Sequence, residues 1–223
     1  MGNRAPLIAS LAVLTGMIVL SVWAWPLVPA AMKIPVHWDI HGVPNGFASK
    51  PFALFIMPAL ALVLTLLFAG LSLLKADEMH RASTSAGFRV GWVGAVLVTA
   101  VGHAMIILNA RGIHLDVGGT SVLIVSLFMV TLGNFLGKTR PNPLVGVRTP
   151  WTYRSDYSWE KTNRMCGRLF VAVGLIVLAM LATAGSTAAF TTMLTGIAAA
   201  AIFSIAMSYY YWVHDPDRAK TGS

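Results

Sequence analysis

The chain alternates six long apolar stretches with shorter polar ones. The stretches run over 7–25, 52–74, 90–108, 120–136, 169–184 and 188–212. Each comes close to the roughly 20 residues that a helix needs to cross the hydrocarbon core of a bilayer. Barrel strands would be shorter and would alternate in polarity. The pattern therefore predicts an all-α, polytopic membrane protein with six transmembrane helices. Between the first two stretches lies a mixed segment, 26–51, the only sizeable one on its side. Within it Val36, Trp38 and Ile40 alternate with His37, Asp39 and His41, which is the period of a strand. Gly42 follows, and Pro44, Asn45 and Gly46 then carry the residue types of a turn. A short extended element and a tight turn are expected here, lying on the membrane surface.

Composition agrees. At 57% hydrophobic, 11% charged and a mean hydropathy of +0.72, an ordinary soluble fold is excluded. The charge is concentrated. Residues 134–168 hold seven of the sixteen Lys and Arg against Asp156 and Glu160, a net +5. Counted on alternate sides, thirteen basic residues share the side of the N-terminus, and Lys33, Lys50 and Arg111 make three on the other. The positive-inside rule then puts both termini in the cytoplasm, and a bacterial inner membrane is the expected home. The first stretch could be a signal peptide, but it is long and ends in Trp23 and Trp25, as an interfacial anchor does. A retained helix is expected. The organisation reads as 1–75 (two helices and the mixed segment), 76–119 (a third helix and loops), 120–213 (three helices with the basic loop) and 214–223 (a cytoplasmic tail). The lone Cys166 reads as a small packing residue.

Orienting the helices needs only positive charge. It does not need Pro141, Pro143 and Pro150, which force extended backbone, nor Gly146, Trp151 and Trp159. These residues imply a shaped loop. After it, Ser155 or Asp156 is suited to cap a helix that carries Lys161, Arg164 and Arg168 on one face, with Glu160 paired to Arg164 at i,i+4. That helix continues into the fifth span, and Arg168 can snorkel to the interface. Gly87, Gly91 and Gly94, and the small residues of 196–201, predict close helix packing.

The run Gly133-Asn134, Lys138-Thr139-Arg140-Pro141-Asn142, Gly146 and Arg148-Thr149-Pro150-Trp151-Thr152, continued by Trp159, Lys161-Thr162 and Arg164, resembles the signature of SdpI-type membrane proteins. It departs from the family pattern at Asn163, where His is expected, and at Tyr153. Ile34-Pro35-Val36-His37-Trp38, with Gly42, Pro44, Gly46 and Lys50, is similar to the companion domain of unknown function that often precedes that signature. The resemblance implies an immunity protein against a secreted peptide toxin, and a receptor that signals to a cytosolic repressor. On that reading His37, Trp38, Gly42, Pro44 and Gly46 meet the extracytoplasmic peptide. Asn134, Lys138, Arg140, Pro141, Asn142, Gly146, Arg148, Trp151, Trp159 and Arg164 meet the cytosolic protein or lipid headgroups. No nucleic-acid contact and no cofactor are implied.

Other readings compete. His37, Asp39 and His41 could ligate a metal from one strand face, but such a set is more often the wet face of a strand, and no metal is expected. Trp38 and Phe47 suit either an interface or the headgroup level. His103 is the ionisable group inside a span, a candidate proton relay or a side chain satisfied by backbone. A membrane enzyme or carrier for phosphorylated lipid headgroups would use Arg140, Arg148 and Arg164. It would also need a nucleophile or base; Asp156 and Glu160 are better explained at the start of a helix. A non-enzymatic protein is expected.

Overall fold

The computed structural model describes residues 3–73, 85–113 and 115–218. Helix α1 (Arg4–Ala24) ends in a 3-10 turn, Trp25–Leu27. Strands β1 (Ile34–Trp38) and β2 (Pro44–Ala48) follow. Then come α2 (Lys50–Leu73), α3 (Ala86–Ala110), α4 (Val117–Leu136), the short α5 (Pro150–Arg154), α6 (Asp156–Ala184) and α7 (Ser186–Val213). Six of these helices are long and apolar enough to span a membrane, and they coincide with the six apolar stretches. Leu74, the cations Lys75, Arg81 and Lys220, and the boundary placed at 75/76 lie outside the described residues.

The helix starts have local causes. Ser85 accepts a hydrogen bond from the Phe88 N–H, Asp116 from Gly119 and Ser155 from Ser158, each satisfying a donor that the first turn leaves open. The α6 cap therefore falls at Ser155, and its helix runs without interruption into the fifth span. Pro58 sits inside α2, a placement that membrane helices tolerate.

Helix α3 packs on α1, α2 and α4, while α4, α6 and α7 pack on one another. Trp92 is fully buried, stacked on Phe68 at 5.8 Å and edge-on to Phe88. In the second group Val122, Met129, Val177, Ala189 and Met193 form the core. Backbones meet closely where α4 crosses α6. A Cβ built on Gly133 would lie 2.7 Å from the Gly167 carbonyl oxygen, and one on Gly174 would lie 3.0 Å from that of Ser126. Of the glycines singled out in the third span, Gly87 and Gly94 face neighbouring side chains, whereas Gly91 faces open space.

The mixed segment is an antiparallel hairpin, but its turn falls earlier than the residue types suggest. The bend spans 39–43, and Pro44, Asn45 and Gly46 belong to β2. Asp39 decides this. Its Oδ1 accepts the backbone N–H groups of His41 and Val43 at 2.8 and 2.9 Å, and Gly42 adopts φ +75° to close the bend. An Asx turn with a left-handed glycine outweighs the Pro-Asn-Gly signal. The strand alternation consequently stops at Trp38, and Ile40 is exposed. The hairpin's underside is apolar: Ile34, with Val28, packs on Ile106 and Ala110 of α3, and Val36 and Trp38 flank that cluster.

Candidate functional site

The bundle has two built ends, one around the basic loop and one around the hairpin. At the basic end, residues 137–149 fold back on α6. Asn142 organises the bend. Its Oδ1 accepts from the Leu144 and Val145 N–H groups at 2.9 and 2.8 Å, and its Nδ2 donates to the carbonyls of Arg140 and Val145. Trp159 of α6 is buried and donates its indole N–H to the Thr139 carbonyl at 2.9 Å. Asn163, one turn further, accepts the Val147 N–H at 2.7 Å and donates to the Trp159 carbonyl. Gly146 lies against both side chains at φ +130°; a Cβ there would come within 2.6 Å of Asn163 Oδ1. Only glycine fits that conformation and that approach.

The loop is then tied to α7. Thr149 and Thr152 form a reciprocal capping box at the start of α5. Thr149 Oγ1 donates to Ser208 Oγ at 3.0 Å, Ser158 Oγ donates to the Ser208 carbonyl at 2.7 Å, and Ser155 Oγ donates to Asp215 Oδ2 at 2.5 Å. Trp151, half-buried, meets Tyr209 edge-on at 5.2 Å. Asn142 and Trp159, expected at a partner surface, are buried within the folded loop. Both are turned inward and shape the loop, because an indole N–H and a carboxamide buried here must satisfy backbone groups.

The surface that remains is cationic. Lys138, Arg140, Pro141, Arg148 and Arg164 are exposed, together with Arg154 and Arg168. Arg148 donates to the Pro143 carbonyl, Arg164 pairs with Glu160, and Lys138 lies 5.5 Å from the Phe135 ring centroid. Asn134 is exposed and donates to the Val130 carbonyl. The sequence suggests Arg140, Arg148 and Arg164 as phosphate ligands. The groove between α4 and α6 instead gathers Lys138, Arg164 and Arg168, with Asn134 and the glycines 133, 137 and 167 beside them.

At the other end the hairpin overhangs a cleft of about 510 Å³. Val36, His37, Trp38, Asp39 and Ile40 form one wall; Val117, Gly118 and Ser121 of α4 and Phe190 of α7 form the other. Thr187, at the start of α7, donates to the Ile40 carbonyl at 3.4 Å. His37 and Trp38 thus line the cleft. Gly42 makes the turn and Pro44 lies exposed in β2, while Gly46 pairs with His37, whose Cβ would be 2.8 Å from a Cβ at position 46. His37 is engaged with Asn45 at 2.5 Å, and the Asp39 carboxylate is occupied by backbone donors. Hydrogen bonds from Val43 and His41 hold the Asp39 carboxyl below its ordinary value. Among the described residues no three His, Cys, Asp or Glu side chains gather as a metal site. The cleft's far wall is invisible in sequence; nothing marks Val117, Ser121 or Phe190 as neighbours of the hairpin.

His103 is wholly buried between the helices. Its Nε2 lies 3.0 Å from the Met17 carbonyl and 3.1 Å from Ser21 Oγ, and Ser21 donates to the Leu54 carbonyl at 2.6 Å. Since a carbonyl can only accept, the proton sits on Nε2. The imidazole ties α3 to α1, and Ser21 ties α1 to α2.

Six apolar helices carrying a hairpin at one end and a folded basic loop at the other define a multi-pass membrane protein. Residues 138–208 match the SdpI/YfhL protein family, and residues 12–62 match a domain of unknown function (DUF1648). The C-terminal region is thus similar to the SdpI family, and the DUF1648 match lies on its N-terminal side. It is 25% identical over 180 residues to the immunity protein SdpI of Bacillus subtilis (strain 168), covering 81% of this chain and 84% of that protein. No solved structure matches.

Proposed function

We propose that this chain is an immunity protein of the SdpI type that meets a peptide toxin in the cleft beneath the hairpin and presents its basic loop to a cytosolic regulatory protein. The hairpin end would then be extracytoplasmic and both termini cytoplasmic, in a bacterial inner membrane, as the charge count favours. The role is non-enzymatic.

One observation carries the reading: α7 touches both ends. Thr187 at its start bonds to Ile40 of the hairpin, and Ser208 and Asp215 at and beyond its end hold Thr149, Ser158 and Ser155 of the basic end. The cleft, moreover, is made by both matched regions, with 36–40 from the first and Phe190 from the second. A peptide wedged between Trp38 and Phe190 would press on the start of α7. A shift of that helix alters the Ser208 and Asp215 ties and so the basic surface. Such an occupant transmits only through different affinities for the two packings. Trp38 and Phe190 supply apolar anchors, and His37 and Ser121 supply polar partners.

Survival of a toxin-sensitive bacterium lacking SdpI tests this. The chain is expected to protect it, and Trp38→Ala with Phe190→Ala is expected to abolish protection at unchanged membrane levels. Full protection by that double variant removes the cleft from toxin contact. For the basic end, a pull-down from native membranes should recover a cytosolic protein with the loop intact and lose it with Arg148→Ala.

A further inference from the structure

A second concavity, of about 560 Å³, opens between α4 and α6 at the basic end. Its floor is the crossing itself, where Gly133, Gly137 and Gly167 let the two helices approach to backbone contact. Along α6 its lining changes character within three turns. Arg164 and Arg168 stand at the top; Val171, Ala172 and Leu175 continue the same face downward. Lys138 closes the rim from the α4 side. The three cations are exposed, and so are Ala172 and Leu175. Glu160 pairs with Arg164, whereas among the described residues neither Lys138 nor Arg168 has a carboxylate partner. Three positive groups above an apolar furrow match a molecule with an anionic head and a hydrocarbon tail.

We propose that this groove binds one anionic phospholipid. Lys138 and Arg168 take the phosphate oxygens, with the face of the Arg164 guanidinium that Glu160 leaves available. An acyl chain lies along Val171, Ala172 and Leu175. A small anion would use the rim and leave the furrow empty; a neutral lipid would use the furrow and leave the rim uncompensated. Basic pockets between transmembrane helices hold lipid headgroups in this way. The lipid would also fill the gap beside the Gly133–Gly167 crossing. The groove lies at the opposite end of the bundle from the cleft, so its test needs no toxin.

The test is native mass spectrometry of the full chain in neutral detergent, titrated with phosphatidylglycerol and separately with phosphatidylcholine. One phosphatidylglycerol should persist under activation that strips phosphatidylcholine. Lys138→Gln with Arg168→Gln should weaken it roughly tenfold or more. Ala172→Trp, at an exposed position, should weaken it with all cations kept. Arg154→Gln, an exposed basic residue outside the groove, should leave it unchanged. Inorganic phosphate at the same concentration should fail to displace it. Equal retention of both lipids overturns the proposal, as does an equal loss in Arg154→Gln, which would indicate bulk charge. Displacement by phosphate alone would reduce the site to an anion site and overturn the lipid assignment.

Discussion

Gly133 and Gly167 meet backbone to backbone. A Cβ on the first would lie 2.7 Å from the carbonyl oxygen of the second, and a Cβ on the second 2.5 Å from that of the first. In lipid, where apolar side chains gain nothing by leaving a hydrocarbon solvent, such close approach is what holds helices together. Gly167→Val should therefore force α4 and α6 apart and cost about 1–3 kcal/mol, the range for overpacked sites. A lowered unfolding temperature in detergent is the expected reading; an unchanged one would mean that the crossing is not tight.

Asn163 should govern the order of the basic loop. Replacing it with Leu removes the acceptor of the Val147 N–H and leaves a partly buried donor open, at about 1 kcal/mol. Trypsin should then cut after Arg148 much faster than in the unmodified protein. Equal cleavage rates in both would show that the loop holds without this bond.

The hairpin turn should respond to acid. Because hydrogen bonds from Val43 and His41 depress the Asp39 carboxyl, its contribution to the turn is complete above the ordinary carboxylate value of 3.8 and is lost as pH falls through the lowered folded value. The amide resonances of His41 and Val43 should titrate with a midpoint below 3.8. Asp39→Asn should keep an acceptor in place and abolish the titration. A midpoint at or above the ordinary value would contradict the Asx turn.

His103→Leu should loosen the contact of α3 with α1. It removes the donor to the Met17 carbonyl and the neighbour of Ser21 Oγ, a loss of about 1–3 kcal/mol in a buried setting. Measured unfolding in detergent should shift accordingly, and His103→Gln, which retains an N–H donor, should recover part of the loss. Identical stability in all three forms would leave the imidazole without a structural role.

The six spans were legible because the bilayer demands a length and an apolarity that few other structures share. The start of α6 was legible too, since a serine before an acidic first turn is a local signal. The hairpin was half legible. Alternation found its first strand, but Pro44, Asn45 and Gly46 offered turn chemistry that lost to Asp39, whose carboxylate reaches two amides at once. What could not be read was contact at a distance. Asn163 meets Val147 sixteen residues away, Ser208 meets Thr149 across 59, and Thr187 meets Ile40 across 147. The Gly133–Gly137 spacing did carry a packing signal of the small-xxx-small kind, yet nothing in it named α6 as the partner.

The bond between Ser155 and Asp215 reaches past the last helix into the tail. Affinity handles or fluorescent reporters appended immediately behind Val213 would sit on the clasp that secures the basic end. A spacer beginning beyond Arg218 would leave it closed, so localisation and capture experiments with this chain depend on where the fusion joint is cut.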